Sequence, residues 1–387
     1  DGKLKYNFKS WKNYTMDPTP LRNPLQDNKY NDVTNLKNNL FGSFSATLKP
    51  FKWISFSSTN TLTLTNVNRN DYLDSRTYGG NHSRNEMSNG VLQVDDERSW
   101  TFLTSNILRL QHSFGDHNLN GIVGQEWYER HTRSSHVEMY DQIIAGERNV
   151  GGFSKQGDKT NPGVIPTGAE RESASFSVFS EVNYNYAGKY MASASFRTDG
   201  STNFGKDNRY GTFYSFSGSW LISRENFMAR QDVVSNLKLR MSYGTSGKEA
   251  GMDYLNYTLY STSNTTFDYY RNHPAYQSAY GATINQLGND QLSWETAYNL
   301  NVGVDVALLD NRISLSADWY KRRNSDLIMS TTLPAAKGVG RQYQNVGEME
   351  NRGVELVLNT HTMKGKDFNW FTTFTFSYND NELTKLD

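Results

Sequence analysis

Tyr298-Asn-Leu-Asn-Val-Gly-Val-Asp-Val-Ala-Leu308 decides how this chain is to be read. Tyr298, Leu300, Val302, Val304, Val306 and Leu308 alternate with Asn299, Asn301, Gly303, Asp305 and Ala307. A β-strand sends successive side chains to opposite faces, so one face of this segment meets an apolar medium and the other meets water. A short turn follows at Leu309-Asp-Asn-Arg312, and the alternation then resumes, with Ile313, Leu315, Ala317 and Trp319 set against Ser314, Ser316 and Asp318. Long alternating strands, joined by short turns at one end and long connections at the other, are the pattern of a transmembrane β-barrel.

The same rhythm runs outward along the chain and predicts about twelve strands in six hairpins. The first is 38–49 and 52–66, turning at Lys49-Pro50-Phe51, and the second is 99–114 and 118–130, turning at Gly115-Asp116-His117. The third is 173–186 and 189–199, turning at Ala187-Gly188, and the fourth is 212–222 and 236–246. The fifth is the opening pair, and the sixth is 353–362 and 368–379, turning at Lys364-Gly365-Lys366. Long polar segments lie between hairpins, at 67–98, 131–172, 200–211, 247–292 and 324–351, and residues 1–37 read as a further outward loop. The connection 223–235 is expected to carry a small helix.

Composition agrees with a barrel. The 387 residues include 40 basic and 40 acidic side chains, and this neutral balance disfavours nucleic acid as the main partner. Hydrophobic content is only 36%, yet 24 Tyr, 20 Phe and 8 Trp make 13% aromatics, which suits a polar lumen with aromatic girdles. The absence of cysteine excludes disulfides and thiolate metal sites. No apolar run of about 18 residues is present, so no transmembrane helix is expected. The chain begins Asp1-Gly2 without Met and ends Glu382-Leu-Thr-Lys-Leu-Asp387, just past a strand and without a terminal aromatic, so both ends are expected to be interior to a longer protein.

From about Ser173 to Asp380 the chain resembles the SusC/RagA family of TonB-dependent outer-membrane transporters of Bacteroidota. The resemblance rests on seven blocks in family order. They are Arg197-Thr-Asp-Gly-Ser-Thr-Asn-Phe-Gly205; Arg209-Tyr-Gly-Thr-Phe-Tyr-Ser-Phe-Ser-Gly-Ser-Trp220 with Glu225-Asn226-Phe227; Leu237-Lys-Leu-Arg-Met-Ser-Tyr-Gly244; Leu292-Ser-Trp-Glu295; Asn301-Val-Gly-Val-Asp305 with Asn311-Arg-Ile313; Asp318-Trp-Tyr-Lys321; and Asn345-Val-Gly-Glu-Met-Glu-Asn-Arg-Gly-Val-Glu355. Two positions depart from the family pattern: Tyr214 stands where Pro is usual, and Ser246-Gly247 where Gly-Asn is usual. The resemblance implies an all-β, antiparallel up-and-down barrel of about 22 strands with a plugged lumen. Residues 1–387 are then expected to be a partial barrel domain, without the plug domain or the C-terminal strand.

The resemblance further implies active import of oligosaccharides or oligopeptides across the bacterial outer membrane. The implied partners are a SusD-like surface lipoprotein, outer-membrane lipid, and TonB-ExbB-ExbD acting through the plug; no cofactor, enzyme activity or nucleic acid is expected. Three other classes share parts of the pattern: a siderophore or cobalamin receptor, a passive porin, and a soluble β-rich glycan-binding or adhesin protein.

Candidate chemistry is sparse. No catalytic constellation stands out, and His131 and His136, five apart, fit neither a helical nor a strand metal pair. Asp95-Asp96-Glu97 offers carboxylates for calcium but equally reads as a solvated loop end. Asp199-Gly200-Ser201 reads as a turn. The aromatic loop 247–292 holds the candidate substrate or partner residues Tyr257, Tyr260, Phe267, Tyr269, Tyr270, Arg271, Tyr276 and Tyr280. Flat rings with hydroxyls suit sugar stacking, peptide backbones and protein interfaces. Against this, Tyr254, Tyr257 and Tyr260 at every third position can simply prolong the wall as a girdle. Trp53, Trp100, Trp127, Trp220, Trp294, Trp319 and Trp370 are expected in interfacial belts. The lumen charges Arg197, Glu181, Lys238, Arg240, Asp305 and Asp318 are expected to pair with each other or hold a plug.

Overall fold

A computed structural model describes residues 24–77, 80, 89–156, 167–261 and 283–386. Leu308 pairs with Ile313 and Tyr298 with Arg323, which makes the opening stretch one hairpin, β12 (Glu295–Leu308) with β13 (Ile313–Thr332). Its turn places Leu309, Asp310 and Asn311 at φ of 55°, 56° and 61°, a left-handed run that Asp and Asn tolerate better than most residues.

The other wall strands are β1 (Asp32–Phe51), β2 (Ile54–Leu73), β3 (Val91–Phe114), β4 (His117–Gln142), β6 (Thr167–Tyr186), β7 (Tyr190–Ser201), β8 (Tyr210–Leu221), β9 (Val234–Lys248), β14 (Arg341–Lys364) and β15 (Asn369–Leu386). Each pairs antiparallel with its sequence neighbours, in the order β1-β2-β3-β4-β6-β7-β8-β9-β12-β13-β14-β15, so the wall is the expected twelve-strand meander. The short β5 (Phe153–Gln156) adds to β4, and β10 (Leu259–Ser261) pairs with β11 (Thr283–Gln286) as a separate ribbon. The helix α1 (Pro24–Tyr30) precedes β1. The connection 223–235 carries two 3-10 turns, at Ile222–Arg224 and Asn226–Met228, in place of an α-helix. Among the described residues β1 and β15 do not pair with each other, so the sheet is open.

The strands reach much further outward than their alternation predicts. β2 runs to Leu73, β3 starts at Val91, β4 runs to Gln142, and β13 and β14 continue to Thr332 and from Arg341. Most of the described residues in the segments 67–98, 131–172 and 324–351 are therefore strand. Above the apolar band both faces are polar, as in Asn66, Asn68 and Asn70 beside Arg69 and Asp71, so the two-residue period vanishes while the backbone ladder continues. Asp95-Asp96-Glu97 sits inside β3 rather than at a loop end, with its carboxylates on alternate faces. Asp199-Gly200 is likewise strand and not a turn; a Cβ on Gly200 would meet the Tyr210 ring at 2.5 Å.

Pairing fixes the two faces. Val304 lies opposite Leu239 and Ala317, Ala317 opposite Leu356, and Leu356 opposite Phe376, all on the outer face. At the short-turn end a ladder of rings crosses five strands: Phe114–His117 (4.8 Å), His117–Tyr186 (4.9 Å), Tyr186–Tyr190 (6.3 Å) and Tyr190–Trp220 (6.2 Å). Trp127–Phe176 (6.3 Å) and Tyr214–Tyr243 (6.4 Å) mark the other border. These are the two girdles of a membrane-spanning barrel.

The inner face is polar. Ser43–Thr61, Ser45–Thr59 and Ser195–Ser215 hydroxyls bond across strands at 3.1, 3.0 and 2.6 Å. Arg240 binds Asp305 (2.8 Å) and Asp318 (3.0 Å), and Arg197 binds Asp199 (2.6 Å) and Glu126 (3.4 Å), the mutual pairing expected of lumen charges. Glycine appears where an inward aromatic lies flat on the neighbouring strand: Gly124 is opposite Phe179, and an added Cβ would meet that ring at 2.3 Å.

At the short-turn end, outside the spanning segments, Glu225 ties two hairpins together. It accepts hydrogen bonds from Tyr190 Oη (2.6 Å), Lys189 Nζ (3.0 Å) and Trp220 Nε1 (3.1 Å). These donors hold its carboxyl down to about 2. A lowered folded-state value means the contribution is complete above the unfolded value of 4.5 and is lost as pH falls toward about 2. Thermal midpoints of the detergent-solubilised protein are expected to fall across that window more steeply for wild type than for Glu225→Gln; equal slopes would show that Glu225 carries no linkage.

Candidate functional site

The buried apolar core of this protein lies in the mouth and not in the wall. Two clusters stand above the outer girdle, each built by strand ends and their connections. The first packs Tyr72, Leu92, Met139 and Phe153, with Val94 and Val137 against them. Tyr72 Oη donates to Asp74 Oδ2 (2.7 Å) and receives Gln142 Nε2 (2.5 Å) and the Gly146 amide (3.2 Å). Arg76 grips both Asp74 oxygens at 2.7 Å and lies 4.0 Å over the Tyr30 ring. Asn31 Oδ1 accepts the Asp74 amide (3.0 Å) and the Thr77 hydroxyl (2.8 Å), and Gln26 Nε2 donates to the Arg76 carbonyl (2.7 Å). Burial of Asp74 acts to raise its carboxyl, but the Arg76 and Tyr72 hydrogen bonds outweigh it and the net shift is downward. Residues before β1, after β2 and after β4 are thus locked into one body.

The second cluster packs Phe204, Ala250, Leu255 and Leu292 under Trp294, Ile328 and Tyr343. Phe204 and Leu292 are fully buried. Trp294 packs tilted against Phe204 at 5.1 Å and edge-on against Phe213 at 5.8 Å, and its Nε1 donates to the Arg209 carbonyl (3.1 Å). This corrects the expectation for Trp294, which belongs to the mouth and not to a membrane belt. Asn345 bonds both backbone groups of Ser293 (2.9 Å each), Glu295 Oε1 accepts the Ile328 amide (2.9 Å), and Glu249 accepts from Ser201 and from Asn203 (2.6 Å). A Cβ on Gly205 would strike the Asp290 carbonyl at 2.1 Å, so the backbones there touch directly.

From this cluster a strap, residues 251–258, reaches to strands three and four places from β9 in the sheet. Asp253 pairs with Arg130 of β4 at 3.4 Å, and Tyr254 Oη accepts the Glu172 amide of β6 at 2.6 Å. Tyr254 turns the chain at φ 64° and lies 6.3 Å from the Tyr257 ring. Gln286 Nε2 holds the strap through the Tyr254 (2.9 Å) and Tyr257 (3.3 Å) carbonyls. The three tyrosines therefore do not prolong a wall strand. Tyr260 sits in the β10–β11 ribbon opposite Ile284. Tyr257 on the strap and Tyr260 on the adjoining ribbon remain 55% and 65% exposed, which leaves their rings available to a partner. The candidates Phe267, Tyr269, Tyr270, Arg271, Tyr276 and Tyr280 lie outside the described residues.

His131 and His136 face opposite sides of β4: His136 Nδ1 meets Asp95 at 2.6 Å, and His131 Nε2 meets Glu170 at 2.8 Å. His131, Glu170 and Glu172 bring ligand atoms within 4.8 Å of one another, the tightest potential metal set among the described residues. Its two glutamates are strongly exposed, at 62% and 74%, so nothing in the wall fixes them for an ion.

Sequence reasoning missed both clusters. The available signal was the isolated apolar residues within polar stretches, Leu255 and Leu292 above all, since a lone leucine in a polar loop is often the floor of a local core.

An outward apolar belt between girdles, a polar inner face and a mouth with its own core define an outer-membrane receptor barrel. The chain belongs to the TonB-dependent receptor-like β-barrel family, whose model matches residues 2–386. It is 34% identical over 287 residues to TonB-dependent receptor P3 of Formosa agariphila, a match covering 73% of this chain and 27% of that receptor. It is 35% identical over 212 residues to the TonB-dependent receptor SusC of Bacteroides thetaiotaomicron, covering 54% of this chain and 21% of SusC. Among solved structures, the RagAB peptide transporter superposes with a TM-score of 0.77 at 27% identity, over 92% of this chain and 38% of that one. The siderophore receptor PiuA of Acinetobacter baumannii shares the fold, with a TM-score of 0.52 at 16% identity. The chain spans between about a fifth and a third of the length of the curated relatives it matches.

Proposed function

We propose that this chain is part of the wall and the mouth of an outer-membrane importer for oligosaccharides or oligopeptides. A SusD-like surface lipoprotein closes over the mouth, and TonB-ExbB-ExbD supplies energy through a plug carried elsewhere in the same protein. In this reading the wall accounts for about half of a plugged barrel of about 22 strands, and it has no enzyme activity. The observation that carries the proposal is the strap: Tyr257 is exposed on a segment clamped between Arg130, Glu172 and the buried cluster of Phe204 and Leu292, and Tyr260 is exposed on the ribbon that continues it. Rigid, presented tyrosines suit stacking on sugar rings or peptide planes at low ordering cost. The inner wall is lined by neutral hydroxyls and internally paired charges, which present no net charge barrier to uncharged cargo.

Uptake by cells carrying the complete receptor tests this. A Tyr257→Ala/Tyr260→Ala receptor is expected to keep its surface level while import of the cognate oligosaccharide or peptide falls about tenfold or more, as loss of two stacking contacts implies. Unchanged uptake would remove the strap from the site. Growth dependence on the receptor only under iron starvation would replace the nutrient reading with the siderophore one.

A further inference from the structure

The outer face of β1–β4 carries a groove that the import reading does not use. It encloses about 740 Å³, with Leu40, Leu64 and Trp100 as its floor and Arg98, Arg133 and His131 along its rim. Arg98 and Arg133 are directly opposite each other on β3 and β4, two residues outward from the Trp100–His131 pair. Like charges directly opposite across a ladder are destabilising, which favours a compensating anion. Glu170 stands opposite Arg133 on β6, but its carboxylate turns to His131 (2.8 Å), as does that of Glu172 (3.6 Å). Asp96 reaches Arg98 at only 3.6 Å, and Arg133 makes no ion pair within 4 Å among the described residues. The guanidinium fork is the group best matched to a phosphate. Trp100 lies on the outer face opposite His131, four residues outward of the girdle residue Trp127 on β4, so the arginines stand above the apolar band with Leu40, Leu64 and Trp100 beneath them.

We propose that this groove binds one phosphorylated glycolipid of the outer leaflet, its phosphate held between Arg98 and Arg133 and an acyl chain laid along Leu64, Leu40 and Trp100. The proposal rests on the outer-membrane placement of the family and not on the identity of any cargo. Such a lipid gives the like-charge pair its counter-ion and covers the apolar floor, which neither a free anion nor an uncharged lipid does alone.

The test uses the complete receptor, purified in mild detergent, delipidated, and titrated with lipid A, with dephosphorylated lipid A, and with inorganic phosphate as competitor. Lipid A is expected to bind the wild type, with Arg98→Gln/Arg133→Gln weakened about tenfold or more, as loss of charged hydrogen bonds implies. Arg98→Lys/Arg133→Lys keeps the charge without the fork and is expected to bind more tightly than the glutamine variant and less tightly than wild type, which separates the charge effect from any folding defect of the glutamine variant. Equal binding of the dephosphorylated lipid, or equal binding by the glutamine variant, would overturn the proposal. So would full competition by inorganic phosphate, which would make the groove a free-anion site. Loss of nutrient import with lipid binding intact would leave this inference standing and remove only the import reading.

Discussion

Val304→Arg is expected to cost about 2–4 kcal/mol of folded, membrane-inserted barrel, the range for a basic residue on the lipid face near the bilayer midplane. Val304 lies opposite Leu239 and Ala317 on the outer face, with Tyr298, Leu300 and Val302 before it and Val306 and Leu308 after it on the same face of β12. An arginine there has no lumen charge to pair with and must carry its guanidinium into hydrocarbon or drag water to it. Val304→Asp acts in the same direction with a smaller cost. The matched control is Asn301→Arg, three residues away on the inner face, where an arginine meets water and nearby polar groups. Heat-modifiable gel mobility of the complete receptor in outer membranes reads the outcome. Folded Asn301→Arg with depleted Val304→Arg supports the register; normal assembly of Val304→Arg would mean that this strand does not face lipid.

Leu292→Ala is expected to loosen the second cluster by about 2–5 kcal/mol, because a fully buried leucine is removed from a small core with few neighbours able to close the gap. Its neighbours Phe204, Ala250 and Leu255 are supplied by connections, not by wall strands, so the barrel itself is expected to keep its thermal midpoint. The effect is local: hydrogen exchange and protease cleavage are expected to rise across 249–261 and 286–294 while the wall strands stay protected. Since the strap rests on this cluster, cargo uptake is expected to fall together with the loss of protection. Protection that is unchanged in the strap would show that Arg130 and Glu172 alone hold it.

Three of the seven blocks that mark the family resemblance acquire a physical meaning from the mouth. Phe204 and Gly205 end the first block, Leu292, Ser293, Trp294 and Glu295 form another, and Asn345 opens the last. All of them converge on the second cluster, through burial, the Asp290 contact, the Asn345 bridge and the Glu295 acceptor. These motifs are the framework of the mouth, and the exposed Tyr257 and Tyr260 lie outside them.

The twelve strands, their hairpin pairing and the face each side chain takes were determined by the sequence alone, because alternation against lipid is a local rule: every second residue meets hydrocarbon whatever its neighbours do. Where the strands end was not so determined. Above the membrane both faces are wet, no period distinguishes ladder from loop, and β3 and β4 continue unseen to Val91 and Gln142. Only the tertiary structure brought Asp253 to Arg130 and Tyr254 to Glu172, contacts spanning 123 and 82 residues, and only it turned Trp294 from a belt residue into the lid of a core. Such contacts depend on which loops meet once the wall has curved, and no local pattern encodes that meeting.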